Sequence, residues 1–182
     1  MKRKNKPVPR FSELPPRYKF FLNPYGEYRF TGCPMCERPT KWRKFPLMIH
    51  IDPMMLIVLN LHCRFCPDCD LLIAHQDELE AQLAAHMSER DPSVIGNKYI
   101  VIGTMERPAW REGMRQPKQL AEMLKYTADF KEELNFTVRP AGRYPADGKQ
   151  AYASHLHQPQ RRYLLSVSGR HQNWQATLLF RA

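Results

Sequence analysis

Two tetrapeptides of one pattern carry side chains with an obvious chemistry: Cys33-Pro34-Met35-Cys36 and Cys66-Pro67-Asp68-Cys69. In a Cys-Pro-x-Cys turn both sulfurs leave one tight loop on the same side, and loop N–H groups can donate to the thiolates. Two such turns facing each other put four sulfurs at the corners of a tetrahedron, the coordination of a structural zinc ion with Zn–S near ~2.3 Å. All five cysteines lie within residues 33–69. That clustering argues against a disulfide framework and, in a reducing compartment, for a metal site. The fifth cysteine leaves the ligand set open. Cys63-x-x-Cys66 also has ligand spacing, which makes Cys63 an alternate ligand, and His62 and His75 can ligate as well. Cys33, Cys36, Cys66 and Cys69 are the preferred set because the second pair repeats the Pro-containing turn of the first.

The elements that must hold these turns are short. Sixteen prolines among 182 residues break the chain often. Glu27-Tyr28-Arg29-Phe30-Thr31 alternates and leads as a strand into Cys33. Phe45 to Ile51 and Met54 to His62 are apolar runs around Asp52-Pro53, which predicts a β-hairpin delivering the chain to Cys63, Cys66 and Cys69. Leu71-Leu72-Ile73 reads as a short strand or the lead-in to a helix. Leu79, Leu83 and Met87 recur every four residues and predict a helix over 77–87. Lys98 to Gly103 reads as a strand, and Pro108 to Pro117 as a loop containing Trp110. A second helix is expected from about Pro117 to Leu134 on a stripe of Leu120, Met123, Leu124, Phe130 and Leu134. Phe136-Thr137-Val138 reads as a further short strand. The tail alternates weakly at 163–167 and 174–180, with a turn signal at Ser168-Gly169.

The paired Cys-Pro-x-Cys turns, with a hairpin between them, resemble the knuckles of zinc ribbons and rubredoxin-like domains. The resemblance spans about residues 27–73 and implies a structural-zinc role for Cys33, Cys36, Cys66 and Cys69 by motif position. It implies no activity, since ribbons serve in many contexts. The sequence departs from that pattern where Glu37 follows Cys36, in the long hairpin interval, and in the extra cysteine. Two rivals use the same residues. Cys63-x-x-Cys66-x-x-Cys69 is similar to part of a ferredoxin iron–sulfur run but lacks its following Cys-Pro. A thioredoxin-like dithiol would sit at a strand-to-helix junction instead of beside a hairpin.

Charge points to a partner. The net charge is +10, with twelve Lys/Arg against three acids in residues 1–46, four against nine in 47–110, and twelve against six in 111–182. Basic flanks around a mildly acidic centre suit an anionic partner, nucleic acid first and acidic protein or lipid surfaces behind it, and fit simple solubility of a basic protein equally well. Lys41-Trp42-Arg43-Lys44 sets an aromatic among three cations, a pattern for phosphate contact with Trp42 stacking on a base. A solvated strand edge whose Trp covers the core explains the same residues equally well. The run Lys2, Arg3, Lys4, Lys6 and Arg10 can follow a nucleic-acid backbone or simply solubilise the terminus.

Other classes find no support. The longest apolar run, Met54 to Leu59, is far too short to span a membrane, and the basic N-terminus has no hydrophobic stretch of a secretory signal. The chain shows no nucleophile elbow, phosphate-binding glycine loop, dinucleotide fingerprint or His-Glu-x-x-His. A four-thiolate site is coordinatively closed, so no catalytic residue is assigned. The expected architecture is α+β: a basic arm over 1–17, a zinc ribbon over 18–74 with an antiparallel β-hairpin and two knuckles, and a helix-strand-helix extension over 75–139. That extension supplies two amphipathic helices and short strands, and a linker with a basic tail follows over 140–182. The expected function is a non-enzymatic, cytoplasmic nucleic-acid-binding module with structural zinc. The alternative is a protein-interaction adaptor or accessory subunit contacting its partner through the Trp110 segment.

Overall fold

A computed structural model describes residues 10–138 and 179–181. Its strands are β1 (Leu14–Asn23), β2 (Lys41–Ile51), β3 (Met55–Cys66), β4 (Leu71–His75), β5 (Tyr99–Met105), β6 (Thr127–Glu133) and β7 (Leu179–Arg181). Helix α1 (Gln76–Arg90) follows β4, a 3₁₀ turn covers Pro92–Val94, and α2 (Arg107–Arg115) and α3 (Leu120–Leu124) lie between β5 and β6. The strands run in the order β2-β5-β6-β1-β4-β3, and β3 pairs back onto β2 to close a six-stranded barrel. β1 is parallel to both of its neighbours, β4 and β6. The remaining contacts within the ring are antiparallel. β7 adds to β3 in parallel, opposite Ile57–Leu59.

The strand period of two sorts side chains between the inside and the outside of the barrel. Leu47, Ile49 and Ile51 of β2, Ile57, Leu59 and Leu61 of β3, Leu72 and Ala74 of β4, and Phe130 of β6 belong to one buried cluster. Phe130 stacks on Phe20 with ring centroids 4.2 Å apart. Leu79, Leu83 and Met87 of α1 join that cluster, so the four-residue stripe of the helix closes one end of the barrel. Met48, Leu56 and Val58, of opposite parity, pack outward against Trp110 of α2 and Met123 of α3. Phe21, Leu71 and Ile73 form a third cluster with Cys33 and Cys66. Close approach of β5 to β6 needs glycine at one place: a Cβ on Gly103 would sit 2.1 Å from the Ala128 carbonyl oxygen.

The zinc-ribbon α+β architecture is therefore corrected to a closed mixed β-barrel with few helices. The hairpin around Asp52-Pro53 is present as β2 and β3, but its strands are two staves of the barrel, not a free-standing ribbon. The first helix lies where its periodicity puts it. The second does not: residues 117–134 form the five-residue α3 and then strand β6. The expected stripe crosses element boundaries: Leu120, Met123 and Leu124 belong to α3, Phe130 to β6, and Leu134 lies past the end of β6 in a different cluster. Strand wins because β6 is needed to join β1 to β5. Residues 108–117 are mostly helix α2, with Pro108 in its first turn, instead of a loop. Residues 27–31 and 136–138 are not strands. The expected tail pattern at 163–167 and its turn at 168–169 lie outside the described residues, as do Lys2, Arg3, Lys4 and Lys6 of the arm.

Candidate metal centre

The two Cys-Pro-x-Cys turns are built in the same way although they belong to different connections. The first lies in the 24–40 segment between β1 and β2, closed by a bridge between Gly32 and Pro39. The Cys33 N–H donates to the Arg38 carbonyl at 2.8 Å, and the Glu37 N–H donates to the Cys33 carbonyl at 2.8 Å. The Thr40 hydroxyl donates to the Phe30 carbonyl at 2.7 Å. The second turn joins β3, which ends at Cys66, to β4, which begins at Leu71. In each, the residue after the second cysteine adopts a left-handed backbone: φ is 61° at Glu37 and 57° at Asp70. Such a φ turns the chain sharply back under the sulfurs and is the conformation glycine adopts most readily.

Ion pairs fasten one turn to the other and to the barrel. Arg38 Nη1 meets Asp68 Oδ1 at 2.7 Å, joining the first knuckle to the second. Lys131 of β6 meets Asp70 at 2.6 Å, and the Lys19 N–H of β1 donates to the Asp70 carbonyl at 2.8 Å. Phe30 packs edge-on against Phe21 at 5.4 Å, anchoring the first loop to the outer face of β1.

This framework gathers four sulfurs. The Sγ atoms of Cys33, Cys36, Cys66 and Cys69 all lie within 4.8 Å of one another, and Cys36 and Cys66 are 3.6 Å apart. A tetrahedral ion with metal–sulfur bonds of about 2.3 Å has S···S edges of roughly 3.8 Å, so the cluster can hold a metal ion with little adjustment. Cys33 and Cys66 are buried, whereas Cys36 and Cys69 are half-buried. The Met35 N–H donates to Cys33 Sγ across 3.4 Å. Burial pushes the Cys33 thiol up to about 11, against the backbone N–H groups of Met35 and Cys36 that favour its thiolate. The Arg38 backbone N–H draws the Cys36 thiol below its ordinary value, and burial raises that of Cys69. The amide donors favour the thiolate form against burial, which opposes it, and thiolate is the form a metal–sulfur site requires.

Cys63 is not among the four. Three residues from Cys66 on an extended strand, it faces the opposite side, into the barrel with Leu61 and Phe65. Its Sγ donates to the Leu61 carbonyl at 3.7 Å, and burial raises its thiol pKa. The ambiguity over three cysteines was thus readable from period two, once β3 was known to continue to Cys66. Neither candidate histidine joins the cluster. His62 lies parallel to Trp42 at 5.7 Å. His75 is fully buried, its Nδ1 is 2.9 Å from Asn23 Nδ2, and burial lowers its pKa.

The four residues Lys41, Trp42, Arg43 and Lys44 are all exposed and lie at the start of β2. Period two divides them, with Lys41 and Arg43 on one face and Trp42 and Lys44 on the other. Arg43 sits over the Phe65 ring at 5.9 Å. Trp42 is joined by Arg64, whose guanidinium lies 4.6 Å over its ring, a neighbour the sequence reading missed because it comes from the paired strand. Arg107 donates to the Lys44 carbonyl at 3.1 Å. Trp110 is buried against Met123 and Val58.

No protein family matches the chain, and neither a curated protein nor a solved structure is significantly similar to it. Among the described residues no helix is long and apolar enough to cross a membrane. Fold and site together define a six-stranded barrel with a four-cysteine cluster able to hold a metal ion.

Proposed function

We propose that the protein is a non-enzymatic binding module in which a structural zinc ion, held by Cys33, Cys36, Cys66 and Cys69, fixes two knuckles beside a basic nucleic-acid-contacting strand. For the metal, the support is the closed set of four sulfurs. Zinc suits four thiolates because it imposes no electronic geometry and is redox-inert, and with four protein ligands no position is left for a reacting water. For the partner, the carrying observation is the state of the cations at the start of β2. Arg17, Arg29, Arg38, Lys118 and Lys131 are each held by a carboxylate. Lys41, Arg43 and Lys44 meet none among the described residues, as is also true of Lys98, Arg111 and Arg115; what sets the start of β2 apart is that three such cations flank the exposed Trp42. The adaptor reading has less to stand on, because Trp110 is turned into the core and supplies no exposed anchor.

Elemental analysis of the purified chain tests the metal: one zinc per chain, lost in Cys66→Ser, is expected, and iron or no metal would sink the zinc assignment. Filter binding of nucleic acid across a salt series tests the partner. Affinity that falls linearly on a log–log plot is expected, with the slope reduced by about one in Lys41→Ala and in Lys44→Ala. Binding that is absent, or indifferent to salt, removes the nucleic-acid reading and leaves the zinc assignment standing.

A further inference from the structure

We infer that Trp42 is a stacking platform for an unpaired base, so that the preferred ligand is single-stranded nucleic acid and not a duplex; this rests on the nucleic-acid reading above. Trp42 is 44% exposed on the outer face of the barrel. It is nonetheless fixed in place by three neighbours from two other strands. The Arg64 guanidinium lies 4.6 Å over its ring, the His62 ring lies parallel to it at 5.7 Å, and the His75 ring is 6.0 Å away. Arg64 and His62 come from β3, where Arg64 is paired directly with Trp42 and His62 with Lys44. Behind them His75 is fully buried and tied to Asn23. A large aromatic held by its neighbours yet left open to solvent loses little conformational freedom when a base stacks on it.

Charges alone do not account for this arrangement. Lysines on a strand edge keep sheets from pairing with other chains, and for that purpose Lys41, Arg43 and Lys44 suffice. Edge protection gives no reason for the ring of Trp42 among them, and cover for the buried His75 accounts for its inner side but not for the 44% left in water. Stacking does, because a base offers a π face whatever its identity, while flanking cations follow the phosphates. In a duplex the faces of internal bases are already covered by their neighbours, so only a splayed or single-stranded base can use the ring. The cations around it supply the backbone term: Lys44 and Arg64 on the same face as Trp42, and Lys41 and Arg43 on the other side of the strand.

The test uses the 182-residue, zinc-loaded chain with a 20-nucleotide single-stranded oligonucleotide and the duplex of the same sequence, compared at one low salt concentration and then across a salt series. Single strands are expected to bind at least about ten-fold more tightly than duplex, and Trp42→Ala to lose about ten-fold or more on single strands only. Trp42→Phe keeps most of the affinity, and the salt slope of Trp42→Ala stays that of the parent, because stacking releases no counterions. Unchanged zinc content in both variants shows that they fold. Equal binding of duplex and single strand, or a Trp42→Ala variant that binds single strands as the parent does, overturns the stacking inference while the nucleic-acid reading survives. No binding of either form overturns both.

Discussion

The two regions that hold this molecule together do so by different means. At one end of the barrel α1 lays Leu79, Leu83 and Met87 onto the interior staves, and the region is secured by apolar burial. On the outer face of β1 and β4 the knuckles bring Cys33, Cys66 and their partners onto Phe21, Leu71 and Ile73. The loop of the first knuckle owes its shape to a few backbone hydrogen bonds, two ring contacts, the ion pairs of Arg29 and Arg38, and four sulfurs. Burial scales with area and is distributed over many residues, so it tolerates a single loss. A metal site concentrates its free energy in one ion and four ligands, and fails as a unit.

The largest expected effect therefore lies at the knuckles. Structural zinc contributes apparent binding free energies of about 10–16 kcal/mol in small zinc peptides. Chelation, or Cys66→Ser, is expected to release the metal and to destabilise the protein by more than any single core truncation. Limited proteolysis after chelation should cut first within residues 24–40 while α1 stays protected. Simultaneous cleavage at both places would show that the barrel itself depends on the ion, and the contrast drawn between the two regions would fall.

Truncating the apolar region should cost less and leave the metal alone. Leu79→Ala is expected to lose about 2–5 kcal/mol in denaturant unfolding, with zinc content unchanged. A zinc loss in that variant would mean the two regions are coupled, through β4 or through Arg29 of the first loop, which pairs with Asp77 and Glu78 of α1.

Cys63 separates the two regions within three residues of one strand. Cys63→Ser should retain one zinc per chain and lose about 1–3 kcal/mol, because it buries a hydroxyl inside the barrel. Cys69→Ser should lose the metal. The reverse pattern would make Cys63 the ligand and refute the assignment of sides on β3.

The smallest effect expected is a gain. Glu37 occupies a left-handed conformation that costs an L-residue about 1–2 kcal/mol, only partly offset by the lower chain entropy that glycine would forfeit. Glu37→Gly should raise the unfolding free energy by about 0.5 kcal/mol. A loss of that size would show that the Glu37 side chain contributes to the knuckle.

What could be read from the residues alone was whatever depends on neighbours in the chain. The two Cys-Pro-x-Cys turns, the hairpin around Asp52-Pro53, the α1 stripe and the KYIVIG strand are all local patterns, and each is found close to where it was expected. Glu37 after the first knuckle was visible as a departure, and the positive φ there, repeated at Asp70, gives the reason a small residue is the usual choice at that position. Local pattern failed where one apparent stripe crosses two elements. The spacing of Leu120, Met123, Leu124, Phe130 and Leu134 reads as one helix, and only the pairing of β6 with both β1 and β5 decided that it is cut into a short helix and a strand.

The sequence by itself determined that a four-sulfur site would be built from two like turns, because spacing within a tetrapeptide fixes which way two thiols can point. It also determined that a basic run with a tryptophan would follow the first of them. Only the tertiary structure decided that six strands close on themselves. Closure is a relation among β1, β4 and β6, which lie far apart in the chain, and no local signal carries it. The same closure set which cysteine was left out, by continuing β3 to Cys66 so that Cys63 faces inward. It also brought Arg64 and His62 against Trp42, since cross-strand neighbours follow from register and not from sequence distance.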